Sequence, residues 1–163
     1  MNDILKELLA QEEELRFSQF NEDTAWELGN LLVNIAREEH LPVTIDITRG
    51  GHQLFHASRP GTSADNDEWV KRKVRLVYRM EHSSFYIGQL LKSKGKRIEE
   101  AYLLSENEYA PHGGCFPVIV KNTGVVGTIT VSGLAQEDDH ALVVRAIREF
   151  LENKKLVVKL NRH

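Results

Sequence analysis

The segment Tyr109 to His140, YAPHGGCFPVIVKNTGVVGTITVSGLAQEDDH, concentrates the side chains that could do chemistry. His112 stands directly before Gly113 and Gly114, and a neutral imidazole can ligate iron or another metal or move protons near neutral pH. The glycines lack Cβ atoms, so backbone there can turn, or approach another group, where other residues would clash. A loop histidine that only caps a turn is the competing reading of His112. Cys115 is the sole cysteine. It could act as a thiolate, but no base accompanies it in sequence, and a free cysteine is often just a small buried side chain.

Asp138, Asp139 and His140 look like a metal cluster. Successive helical residues point about 100° apart, however, and cannot converge on one ion, whereas carboxylates at a helix start are explained by its dipole. A functional His140 therefore needs partners from elsewhere, such as the loop holding His112. Arg72 and Lys73, in the basic run from Lys71 to Arg79, could receive a carboxylate or phosphate, arginine through a two-pronged contact. A solvated face paired with acidic helices is the alternative. GTITVSG lacks the lysine and helix of a phosphate-binding loop, GGCFPVIVKNTG lacks the dinucleotide spacing, and no Ser-His-Asp set stands out.

The elements that must position these residues are legible from periodicity. Ile4, Leu5, Leu8, Leu9 and Leu15 form one stripe of an opening helix whose other face is acidic. A second helix starts at the N-cap Asn21, with Glu22 and Asp23 in its positive first turn and Leu28, Leu31, Leu32 and Ile35 at helical spacing, and ends near Pro42. From Val43 the period becomes two: Val43, Ile45 and Ile47 alternate with Thr44, Asp46 and Thr48, as in a half-buried strand. Arg49, Gly50 and Gly51 signal a turn, and His52 to Ala57 form the second hairpin arm.

A third helix is expected after a cap at Asp65 or Asn66, with Val70, Val74 and Val77 inward. A further helical stretch runs to Lys94, with Gly95 as its stop. Phe116 to Val120 and Val125 to Val131 flank the turn Lys121 to Gly124 as a second hairpin, with Pro117 at a strand start or edge. The last helix begins near Gln136 and buries Leu142, Val143, Ala146, Ile147, Phe150 and Leu151. This order favours an α+β fold with an antiparallel sheet covered by helices, because parallel pairing would need a crossover between consecutive strands.

The chain has 163 residues, enough for one domain with a full core, expected over 1–155, with residues 156–163 as a tail that is either a short strand or disordered. A net charge of -3 argues against binding to nucleic acid through bulk electrostatics. The charged start MNDILKELLAQEEELRF is neither a signal peptide nor a membrane span, and one cysteine cannot form an internal disulfide, so a reducing cytoplasm is the expected location, with no membrane partner.

The combination HGGCFPVIV, a short turn, and GVVGTITVSGLAQEDDHALVV resembles the haem-degrading-domain family, which includes GlcG-type proteins and extracellular haem-binding sensors. Within it, NDEWVKRK (Asn66 to Lys73) and SSFYIG (Ser83 to Gly88) are similar to a cytoplasmic branch, and the resemblance spans about Thr24 to Phe150. It implies a profilin-like α/β/α sandwich that assembles into homo-oligomers, some relatives binding or oxidatively degrading haem. On that basis haem, or a related tetrapyrrole, is the expected cofactor: His112 or His140 would hold the iron, Gly113 and Gly114 would let a planar ligand approach, and Phe116 and Tyr109 would add aromatic contact. Two other readings stand beside it. One is a non-catalytic oligomeric interaction module. The other is an enzyme that binds a small anionic substrate through Arg72 and Lys73, with His112 as acid or base.

Overall fold

Local capping sets the helix starts. In the computed structural model, which describes residues 2–162, α1 (Asp3–Glu14) begins after Asn2, whose side chain accepts the Ile4 N–H. At α2 (Glu22–Glu38) the Asn21 side chain accepts the Thr24 N–H at 2.9 Å while Thr24 Oγ1 accepts the Asn21 N–H, a reciprocal box that satisfies two otherwise orphaned donors. The cap of α3 (Ala64–Met80) is Ser63 rather than Asp65 or Asn66; Asn66 instead sits in the first turn and accepts the Ser63 N–H at 2.9 Å. α4 (Ser84–Lys94) stops at Gly95, whose φ of 62° lies in the left-handed region. A short α5 (Ile98–Tyr102) precedes the loop to the second hairpin.

The strands β1 (Thr44–Arg49), β2 (His52–Ser58), β3 (Cys115–Val120) and β4 (Gly124–Ser132) form one antiparallel sheet in the order β2-β1-β4-β3. Ile45, Ile47, Phe116, Val118, Ile129 and Val131 point to one face, against Leu28 and Leu32 of α2 and Val143 and Ile147 of α6 (Gln136–Asn161). All ten of these side chains are fully buried, each contributing about 1.5–3 kcal/mol by its removal from water.

The opposite face departs from the half-buried strand that alternation suggests. Thr44, Asp46, Thr48, Thr128, Thr130 and Ser132 are also buried, beneath α3. Polar groups there need partners. Thr48 Oγ1 lies 2.7 Å from both Tyr78 OH and Thr128 Oγ1, and Asp46 accepts the Gln53 Nε2 donor at 2.7 Å. The inward stripe of α3 changes with this polar floor: Val70, Lys73, Leu76 and Val77 are buried, whereas Val74 is only half-buried.

Leu76 reaches a second apolar cluster with Leu5 and Leu8 of α1, Phe85, Ile87 and Leu91 of α4, and Ile98. Residues 156–161 are neither strand nor irregular. KKLVVKL contains no glycine or proline, and α6 continues through it, anchored where Lys154 Nζ meets Glu27 Oε2 at 2.6 Å.

Candidate functional site

α3 carries Asn66, Trp69 and Lys73 at spacings of three and four, which stacks them on one helix face. That face looks onto the loop between β4 and α6 and onto the loop entering β3. Asp65, Asn66, Trp69, Lys73, His112 and the segment Ser132–Asp139 enclose a cavity of about 320 Å³. A larger groove of about 590 Å³ runs along the last turns of α6, between exposed lysines such as Lys121 and Lys155 and the half-buried Arg16. The smaller cavity holds the convergent chemistry, since it alone joins an imidazole, a buried amine, a buried carboxylate and an indole.

Its inner wall is the Lys73–Asp139 pair, both side chains 3% exposed, with Nζ 3.3 Å from Oδ2. Lys73 Nζ also donates to the Val131 carbonyl at 3.3 Å. Asp139 accepts the Leu134 N–H at 2.9 Å and the Gly133 N–H at 3.3 Å, so one carboxylate closes the turn into α6 and balances a helix on the other side of the cavity. Burial pushes the Lys73 ammonium down and the Asp139 carboxyl up from their ordinary ranges, and the attraction between them opposes both shifts.

The glycine pair is spent inside the protein. The Gly113 N–H donates to Gln136 Oε1 at 3.1 Å, and a Cβ on Gly113 would collide with the Gln136 carbonyl. Gly114 has φ +136°, and a Cβ there would strike the Val131 carbonyl and Lys73 Nζ. Close backbone packing of the β3 entry onto β4 and α6 is what these glycines permit.

His112 sits at the cavity rim, edge-on to Trp69 with ring centroids 5.6 Å apart. The Arg72 guanidinium lies 4.6 Å from the same indole and donates through Nε to the Glu106 carbonyl at 3.0 Å, so Arg72 braces the wall instead of entering the cavity. Partial burial and the positive charges of Lys73 and Arg72 lower the His112 pKa. Its imidazole is accordingly neutral at neutral pH, with a lone pair to offer.

The other residues singled out in sequence lie elsewhere. His140 is buried between Phe85 and Phe116, at centroid distances of 4.9 and 6.0 Å, with Nε2 2.7 Å from Gln11 Oε1. Burial pulls its pKa down to about 4, and it lines a separate cavity of about 290 Å³ beside α1. Phe116 belongs to the main core and Tyr109 packs on the α1–α4 cluster. Cys115 is fully buried, its thiol pushed up to about 12 by burial, and its N–H donates to Ser84 Oγ at 3.0 Å. Thus Lys73, His112, Gly113 and Gly114 come together, and His140, Cys115, Phe116 and Tyr109 do not join them.

Asn66, Trp69, Ser132 and Gln136 line the cavity with no site role assigned from sequence, and Asp139, which sequence assigns to a helix start, lines it too. The 66/69/73 spacing was an available signal, as was a lysine on the inward stripe of α3, which requires a buried counter-charge. Among the described residues, no group of three or more His, Cys, Asp or Glu side chains could hold a metal ion, and no helix is long and apolar enough to cross a membrane.

A four-stranded antiparallel sheet between helical layers, with a polar cavity at the edge of α3, defines an α+β sandwich of the haem-degrading-domain type. The chain belongs to the family described as "Haem degrading protein HbpS-like", which matches residues 20–148. It is 50% identical over 147 residues to a UPF0303 protein of Streptomyces avermitilis, covering 90% of each chain. The crystal structure of the Ybr137w protein superposes with a TM-score of 0.86 at 35% identity, over 92% of this chain and 88% of that one. The crystal structure of a PduOC:Heme complex shares the fold, with a TM-score of 0.64 at 18% identity over 80% of this chain and 92% of that one.

Proposed function

We propose that this chain is a ligand-binding protein whose site is the cavity between α3 and the β4–α6 loop, with His112 as the residue that meets the ligand. The observation that carries this is the His112 imidazole on the rim, set against Trp69 in the same cavity as the buried Lys73–Asp139 pair. A cavity of about 320 Å³ lies at the small end of the range of about 300–1,000 Å³ for small-molecule sites, and its lining is polar and apolar in about equal measure. It suits a ligand about the size of one ring.

Haem is the ligand that family membership and the haem-bound relative support. His112 would be the residue to hold the iron, its imidazole supplying a nitrogen donor, whereas the cavity is too small to enclose the macrocycle. Haem titration tests this reading. A saturable Soret shift that is lost in His112→Ala and kept in His140→Ala supports it; a shift equal to that of a control protein, or one abolished only by His140→Ala, rejects His112 as the ligand.

A second feature favours self-association as part of the same reading. Leu156, Val157 and Leu160 are exposed on the last turns of α6, at spacings that place them along one side of the helix. Light scattering at micromolar concentration should report a multimer, and Leu156→Glu with Leu160→Glu should shift it toward monomer. A wild-type monomer contradicts the assembly.

A further inference from the structure

Among the described residues Lys73 is the only primary amine lining the cavity, and its burial is unusual for a lysine. An ammonium has three N–H donors. Two are used, toward the Val131 carbonyl and Asp139 Oδ2, both at 3.3 Å, just beyond the range of about 2.7–3.2 Å for good N–H···O bonds. Gly114 keeps the space beside Nζ free of a side chain, since a Cβ there would lie 2.6 Å from it. A carboxylate stands alongside that can take a proton, and burial favours the uncharged amine. A desolvated amine, a neighbouring proton acceptor and an adjoining cavity are the conditions under which lysines attack carbonyl carbon. Lys71, on the same helix, has none of these surroundings: its side chain is 62% exposed and pairs with Glu68.

We infer that Lys73 captures small aldehydes in this cavity as a covalent imine, an inference that rests on the cavity being the ligand site. A proton passes from Nζ to Asp139 Oδ2, and the freed lone pair attacks the carbonyl carbon. The C–N bond forms while the C=O π pair moves to oxygen. That oxygen takes the proton held on Asp139, then a second proton as nitrogen loses its own, and leaves as water. Amine and aldehyde give imine and one water, with no change of oxidation state. The cavity volume limits the aldehyde to about one aromatic ring.

The test uses benzaldehyde with sodium cyanoborohydride, which reduces the imine to a stable benzyl amine, followed by peptide mass spectrometry of the wild-type chain. Because burial pushes the Lys73 ammonium toward the free amine beside a cavity that can hold the aldehyde, benzylation of Lys73 should exceed that of Lys71 or Lys121. Lys73→Arg, which keeps the charge beside Asp139, should lose the adduct while retaining the wild-type melting curve; if that variant fails to fold, the wild-type peptide map still decides. In a Trp26→Phe background Trp69 is the only indole, and its emission reports binding of benzyl alcohol, the same shape without the carbonyl. Saturable binding of benzyl alcohol with Lys73 left unmodified overturns imine capture and leaves the cavity standing as a binding site. Neither binding nor adduct overturns both readings.

Discussion

Replacing Asp139 with asparagine removes the only charged partner of a buried ammonium while preserving side-chain shape. The variant can keep the acceptor for the Leu134 N–H, now 2.9 Å from Oδ1, so the turn into α6 is largely retained. What is lost is the charge opposite Lys73 Nζ, which then has only the Val131 carbonyl at 3.3 Å. Breaking a buried pair from one side costs about 3–5 kcal/mol. The lower end applies here, because Lys73 is already pushed toward the neutral amine and can shed its proton. A loss of about 3 kcal/mol corresponds to a fall in Tm of about 6–12 °C for a domain of this size.

Lys73→Met should cost less, about 1–2 kcal/mol, because the stranded carboxylate still accepts two backbone N–H groups. The double variant should be less destabilised than the sum of the singles, with a coupling of about 2 kcal/mol. Urea unfolding of the four proteins at pH 7, with m-values compared to check that each transition stays two-state, measures the cycle. An Asp139→Asn variant within about 0.5 kcal/mol of wild type, or a strictly additive cycle, would refute the pair as the brace of the cavity.

Three further outcomes follow from the same geometry. His140 has a folded pKa of about 4, below its unfolded value of 6.5, so its burial should destabilise the fold as pH falls through that window, by about 3 kcal/mol once both values are passed; His140→Gln should flatten this part of the stability profile in acid titrations followed by circular dichroism. His82 shifts the other way, because Nδ1 lies 2.8 Å from the buried Glu12 carboxylate: its stabilisation is full below the unfolded pKa near 6.5 and fades as pH rises through the raised folded value, a trend that His82→Ala should erase. Gly114→Ala puts a Cβ against the Val131 carbonyl at φ +136° and should cost about 2 kcal/mol or more in thermal unfolding, whereas alanine at Gly88 strikes only the Pro111 carbonyl of a loop and should cost less.

Sequence alone determined the type and order of the main elements, though not the short α5 or the helical path of residues 156–161. Each rests on short-range physics that a linear reading captures: apolar residues at helical spacing in α2 and α6, alternation in β1, an N-cap at Asn21, and a stop at Gly95. The HGGCFPVIV and VSGL segments were equally legible as marks of a family. Cap position, the path of the last helical turns and the burial of the threonine face were less so, because each depends on what packs opposite: Asn66 serves the cap at Ser63 from the first turn, Lys154 reaches α2, and α3 roofs a strand face that alternation alone assigns to solvent.

The site belongs almost wholly to tertiary structure. Asp139 read as a partner of its own helix dipole until the fold placed it 3.3 Å from Lys73, 66 residues away in sequence. His112 and His140 are both histidines in the same 32-residue segment, and one stands at the rim of the Lys73–Asp139 cavity while the other packs between phenylalanines beside α1, its pKa pulled down by burial. Periodicity reports which side of an element is inward, but convergence of side chains is set by the angles between elements, which no local pattern encodes. The basic run from Lys71 to Arg79 accordingly divides three ways: Lys73 into the cavity wall, Arg72 onto Trp69, and Lys71 into water.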